Sequence, residues 1–279
     1  MTITPTPFTI AQVSDTHLGT RTMLFRDNFD RVLHALDAIR PDLVVASGDV
    51  SLDGADSDAD LALAAAQFAR MPAPVHAIPG NHDVGDHPDR APKQPVTDER
   101  LDRFRRTMGP DRWVIDQGNW RLIGLDSQIM GAHPAEAAQA RMIEEALATL
   151  GDRRLAVFIH KPFFAVDPAE QVFDYWSVPP FARGPLRPIM AHPALRLVAS
   201  GHLHVHHETM RGAVRYAWAP SAAFVVSPDE QQGLPGTRPC GILVHRFGDD
   251  TVETSLVAPE GMDRPFIHEI REFTYPPAA

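Results

Sequence analysis

Five times along this chain a short apolar run stops abruptly at a cluster of Gly, Asp, Asn or His. The run 75–78 ends in Pro79 and then Gly80-Asn81-His82-Asp83. An amide, an imidazole and a carboxylate behind a glycine are poor core material, and at a strand end they suit a metal and phosphate site. The companion clusters are Asp15-Thr16-His17 after the run 8–13, Gly48-Asp49 after 43–46, His160 after 155–159, and Gly201-His202-Leu203-His204 after 195–199. Runs of this kind read as strands, and the continuous ones as strands buried on both faces.

Between the strands the period changes. Phe25, Phe29, Val32, Leu33, Leu36 and Ile39 recur at spacings of three and four, which predicts a helix with one buried face, ended by Pro41. Ser57 with Asp60 resembles a capping box and opens a second helix reaching Arg70. Three β-α units in succession predict an α/β fold with parallel strands whose carboxyl ends share one edge, and that edge carries the motifs. Residues 85–96 read as a loop, 98–108 as a helix, 113–115 and 120–125 as a hairpin, and 134–150 as a helix. The segment 163–183, with three prolines among its aromatics, cannot be a regular helix. Residues 214–218, 222–226, 241–246 and 252–257 read as antiparallel strands. We expect a single domain over 1–260 with an aromatic, lid-like insertion at 163–183. The tail 261–279 is expected to pack on the surface or between subunits.

Composition narrows the function. Thirty-six acidic against 26 basic residues give a formal net charge of -10, which disfavours long nucleic acid and anionic membranes as partners. The single cysteine, Cys240, rules out an intrachain disulfide and a thiolate-cluster metal site. No basic region followed by an apolar stretch opens the chain, and no apolar run is long enough to span a membrane, so a soluble cytoplasmic protein is the default expectation.

The candidate ligands, Asp15, His17, Asp49, Asn81, His160, His202 and His204, offer carboxylate, imidazole and amide oxygen. That set suits Mn, Fe, Zn or Co. Seven such groups are too many for one ion and right for two sharing a carboxylate. On an extended chain His202 and His204 would face the same side, with His206 sharing that face. Glycines before Asp49, Asn81 and His202 would let the backbone turn sharply and approach closely. Most other histidines, such as His34, His76 and His245, read as surface or hydrogen-bonded core residues.

In this order the five blocks resemble the signature of the calcineurin-like metallophosphoesterases. The stretch 14–18 and the chain length are most similar to the bacterial class III cyclic-nucleotide phosphodiesterases and their glycerophosphodiesterase relatives. The resemblance implies a four-layer α/β/β/α sandwich of two mixed sheets flanked by helices. It implies that Asp15, His17, Asp49 and His204 bind a first divalent ion, and Asp49, Asn81, His160 and His202 a second. The expected reaction is hydrolysis of a small phosphodiester, a 3′,5′-cyclic nucleotide or a glycerophosphodiester, by hydroxide bridging the two ions. His82 would stabilise the transition state and protonate the leaving group, with Asp83 orienting it. For substrate binding the sequence offers Arg21 near the first block, and Phe173 and Trp176 in the aromatic segment. A phosphomonoesterase is the alternative, and a non-catalytic scaffold is disfavoured by the intact ligand set. A homodimer is the default assembly.

Overall fold

A computed structural model describes residues 7–274. Two sheets form its centre. In the first, β1 (Phe8–Val13), β2 (Leu43–Ser47) and β3 (Val75–Ile78) run parallel, and β10 (Ile242–Phe247) and β11 (Val252–Val257) extend the β1 edge antiparallel, giving the order β11-β10-β1-β2-β3. The second has the order β4-β5-β6-β7-β9-β8, built from β4 (Trp113–Gln117), β5 (Trp120–Leu125), β6 (Arg154–Ile159), β7 (Leu195–Ser200), β8 (His207–Arg211) and β9 (Val214–Trp218). Strands β5, β6, β7 and β9 are parallel, with β4 and β8 as antiparallel edges.

Strand alternation sorts the core into layers. Phe8, Ile10, Leu43 and Val45 of the first sheet pack with Trp120, Leu122, Ala156, Phe158, Leu197 and Ala199 of the second in one apolar cluster between the sheets. The intervening residues Ala11, Val13, Val44 and Ala46, and likewise Ile123, Leu125, Val157 and Ile159, belong to the cluster that contains the buried helix faces. Those faces come from α1 (Arg26–Ile39), α2 (Asp58–Phe68), α4 (Asp98–Met108) and α5 (Glu136–Ala148). Fully burying one large apolar side chain contributes about 1.5–3 kcal/mol, so a chain with continuous apolar strands has strong reason to bury both faces of each sheet. This is the four-layer sandwich, with two mixed sheets between helices.

The expected helix starts hold. Ser57 Oγ accepts from the Asp60 N–H at 3.2 Å, and Thr97 caps α4 in the same manner. Differences appear where the reading relied on apolar content alone. Residues 222–226 are not a ladder strand; Val225 makes one isolated parallel bridge to Phe266. Their side chains Ala223 and Phe224 are apolar because they pack with Phe25, Leu52, Ile267 and Ile270. Strand β9 pairs parallel with β7, not antiparallel, because the unrecognised β8 lies outside it; β8 reads His-Glu-Thr-Met-Arg, a polar edge. The aromatic segment is irregular, with 3-10 turns at Pro180–Ala182 and Gly184–Leu186 before α6 (Arg187–Met190). In the C-terminal region, α7 (Ile267–Thr274) lays Ile267 and Ile270 onto Phe25, Leu52 and Phe224; residues 275–279 of the expected tail lie outside the described residues. No helix among the described residues is long and apolar enough to cross a membrane.

Candidate metal centre

The clusters that follow β1, β2, β3, β6 and β7 converge at the shared carboxyl edge of the two sheets. Asp15, His17 and His204 form one group able to hold a cation, and Asp49, His160 and His202 another. His17, Asp49 and His82 lie between them. Asn81 opens the single turn α3 (Asn81–Val84), so the third cluster is a helix start rather than a loop.

The backbone at this edge is tightly turned. Among the described residues, the non-glycine residues with left-handed φ are Asp15, His17, Arg40, Asp49, His202 and His204. Five of these six are candidate ligands, and each such residue carries strain of about 1–2 kcal/mol. His202 (φ 69°) and His204 (φ 53°) therefore do not sit on an extended chain; the Leu203 N–H turns back to Gly201 O at 2.8 Å. His206, which alternation placed beside them, pairs instead with Glu208, and its backbone bonds Thr237. The glycine expectation is met by close approach: a Cβ on Gly48 would enter the His160 ring, on Gly80 the Asp49 carboxylate, and on Gly201 the Ser14 hydroxyl.

Main-chain carbonyls orient the imidazoles. His160 Nδ1 bonds Ser47 O at 2.8 Å, His204 Nδ1 bonds Phe224 O at 2.8 Å, His82 Nδ1 bonds Leu52 O at 2.7 Å, and His202 Nε2 bonds Tyr175 O at 2.8 Å. A carbonyl only accepts, so each of these nitrogens carries a proton, and in the neutral ring, the form a ligand takes, the opposite nitrogen is the lone pair. Asp83 does not serve as the partner of His82 Nδ1. Its carboxylate accepts from the N–H groups of Val50, Ser51 and Gly80 and from the Ser51 hydroxyl, tying the second junction to the third.

Electrostatics fit a cation at this place. Burial opposes ionisation of Asp49, yet His160, His82 and His17 outweigh it and hold its carboxyl well below the usual range. Burial keeps His17 and His202 neutral, with His82 adding to the effect at His17 and Lys161 at His202, which is the state a ligand needs. Burial also lowers His160, but Asp49 prevails and raises it to about 9, so this proton occupies a place suited to positive charge. Asp83, buried and near Asp49, is pushed up to about 6. Asp15 Oδ1, His17 Nδ1, Asn81 Oδ1 and His160 Nε2 are buried without a hydrogen-bond partner. Each such atom costs about 1–3 kcal/mol, and four on neighbouring candidate ligands are the donor atoms a cation site would use. The donor set therefore fits divalent metal.

A cavity of about 360 Å³ opens over the site, within the size range of small-ligand pockets. Its lining includes Asp49, His82, His202 and His204 together with Tyr175 and Trp176. A larger open groove of about 850 Å³ beside Asp27, Arg31 and His34 contains none of the candidate ligands. Two expected substrate residues are elsewhere. Arg21 pairs with Asp53 at 3.3 Å near the surface, and Phe173 lies under the Arg90 guanidinium against His87 and Phe181. Sequence reasoning missed Phe224, Glu230, Ile267 and Arg271, which complete the wall. Phe224 sat in a misread strand, and nothing in the local pattern of 267–274 pointed to the site.

The sequence profile described as calcineurin-like phosphoesterase matches residues 8–206, the span that supplies every candidate ligand. The chain belongs to the calcineurin-like phosphoesterases. Within this family it is similar to the 3′,5′-cyclic adenosine monophosphate phosphodiesterase CpdA of Pseudomonas aeruginosa, 32% identical over 242 residues and covering 78% of each chain. It is also similar to a 3′,5′-cyclic-nucleotide phosphodiesterase of Nostoc sp., 26% identical over 275 residues, covering 90% of this chain and 92% of the relative. The sandwich is shared with a dimetal phosphatase of Danio rerio, with TM-score 0.60 at 12% identity, covering 91% of this chain and 99% of that one. As a calcineurin-like phosphoesterase the chain thus has both the fold and a clustered Asp/His/Asn donor set.

Proposed function

We propose that this protein is a dinuclear metal-dependent phosphodiesterase acting on 3′,5′-cyclic nucleotides. The observation that carries the reading is the convergence of seven donors from five strand ends, four of them with buried atoms that lack a hydrogen-bond partner. Both relatives above bear the name of cyclic-nucleotide phosphodiesterases, which supports the substrate class. Asp15, His17, Asp49 and His204 would hold one ion and Asp49, Asn81, His160 and His202 the other. Mn, Fe, Zn and Co all suit these nitrogen and oxygen donors. When bound, the ions supply an acidified water and positive charge for the non-bridging phosphate oxygens.

The protein's own groups do the rest. His82 has Nδ1–H committed to Leu52 O, so in the imidazolium form Nε2–H is the group that donates a proton to the leaving alkoxide as the P–O bond breaks, and the neutral ring remains. Asp83 keeps the backbone beneath it in place by bonding the junctions of β2 and β3. Trp176, Tyr175 and Phe224 give the cavity an aromatic wall suited to a flat base. A cytoplasmic setting accords with a cyclic-nucleotide substrate and with one buried, unbridged cysteine. The test is a parallel assay, with Mn²⁺, of 3′,5′-cyclic AMP, bis(p-nitrophenyl) phosphate and p-nitrophenyl phosphate. The diesters should be hydrolysed in preference to the monoester; a monoester preference would make the protein a phosphatase.

A further inference from the structure

Tyr175 touches two candidate ligands of the same ion by different atoms. Its hydroxyl accepts from Asn81 Nδ2 at 2.9 Å, and its main-chain carbonyl accepts from His202 Nε2 at 2.8 Å. Its ring lies 4.8 Å from the His202 ring, centroid to centroid. Behind it, Lys161 Nζ sits 4.9 Å from the ring centroid while paired in the interior with Asp86 at 2.7 Å. The segment that carries Tyr175 is held in shape by Glu170. Its carboxylate accepts from the N–H groups of Ala165, Val166 and Asp167 and pairs with Arg183 at 3.0 Å.

The two hydrogen bonds decide which atoms face a cation. An amide has one donor end and one acceptor end. With Nδ2 donating to the Tyr175 hydroxyl, Asn81 offers Oδ1, which is buried and has no hydrogen-bond partner. With Nε2–H donating to the Tyr175 carbonyl, His202 offers the Nδ1 lone pair. We propose that Tyr175 is a positioning residue for one half of the metal centre, fixing the Asn81 amide and the His202 tautomer so that the second ion is bound tightly. The irregular 163–183 segment thereby belongs to the metal site as well as to the cavity wall, and its docking and second-ion affinity are linked. This rests on the dinuclear reading above.

The experiment is calorimetric titration of Mn²⁺ into metal-stripped parent, Tyr175→Phe, Asn81→Ala and the double variant. Tyr175→Phe keeps the ring and the carbonyl and removes the acceptor for Asn81. Loss of an outer partner of a ligand lowers metal affinity about 10–100-fold, and the effect should lie toward the lower end because the carbonyl bond to His202 survives. One of the two ions should weaken by about tenfold while the other is unchanged, and the double variant should bind no more weakly than Asn81→Ala alone. Turnover of a diester by Tyr175→Phe should return as Mn²⁺ is raised. Unchanged affinities, an equal loss for both ions, or a double variant weaker than Asn81→Ala overturns the proposal. A parent protein that does not take two ions overturns the dinuclear reading, and this proposal with it.

Discussion

The backbone N–H of His82 donates to Asp49 Oδ1 at 2.8 Å, so the residue proposed as proton donor also holds, through its main chain, the carboxylate proposed to be shared. The two functions separate on mutation. His82→Ala keeps the N–H and with it the grip on Asp49, and removes only the imidazole. Two bound metals should remain by elemental analysis, while kcat for a diester falls about 10²–10⁴-fold, the range of general acid–base catalysis. Unchanged turnover removes His82 from the mechanism.

The close approach of Gly48 to His160 makes a second prediction. Gly48 has φ +96°, and an added Cβ would fall on the His160 ring. Gly48→Ala should destabilise by about 2–4 kcal/mol, combining backbone strain with overpacking. Gly118, with φ +58° and nothing within 4 Å of an added Cβ, bears strain alone. Gly118→Ala should lose about 1 kcal/mol in the same urea denaturation series.

Much of this site was legible because its ligands sit where the strand pattern breaks. Asp15, Asp49, Asn81, His160 and His202 each follow a short apolar run, continuous and buried on both faces before Asp49 and His160, and parallel strands bring their ends to one edge. The conformation of the ligands was less legible. His202 and His204 adopt left-handed φ, which alternation along a strand does not describe. Arg21 and Phe173 were chosen by proximity in sequence, but Asp53 and Arg90 engage them elsewhere. The wall formed by Ile267 and Arg271 depends on where α7 docks, a tertiary choice with no local signal.

Lys161 and Asp86 form an interior ion pair, with side chains 4% and 5% exposed. Removing one partner leaves the other charge buried and unpaired. Lys161→Met should therefore cost about 3–5 kcal/mol in stability, and the double variant Lys161→Met/Asp86→Leu should recover most of it. A double variant as unstable as the single one would show that the charges are not coupled.

His245 supplies a pH prediction away from the metal site. It is fully buried between Gln12 Oε1 and Thr254 Oγ1, and burial pushes it down to about 3. Below about pH 6.5 the unfolded chain takes up a proton that the folded protein refuses, so stability falls as pH is lowered through this window. Between pH 6.5 and 4.5 this one group should remove about 2 kcal/mol. His245→Gln should lose that much less stability over the same interval, measured by denaturation of both proteins in parallel. Equal losses would mean that His245 titrates normally.

The central claim is that two ions, held by one constellation of seven donors, make this chain a diesterase. The direct measurement is titration of metal-stripped protein with Mn²⁺, following bound metal and 3′,5′-cyclic AMP hydrolysis on the same samples. The account predicts that turnover appears only as binding approaches two ions per chain and reaches its maximum there. Full activity with one ion, or two bound ions with no diester turnover at any substrate concentration, would contradict it.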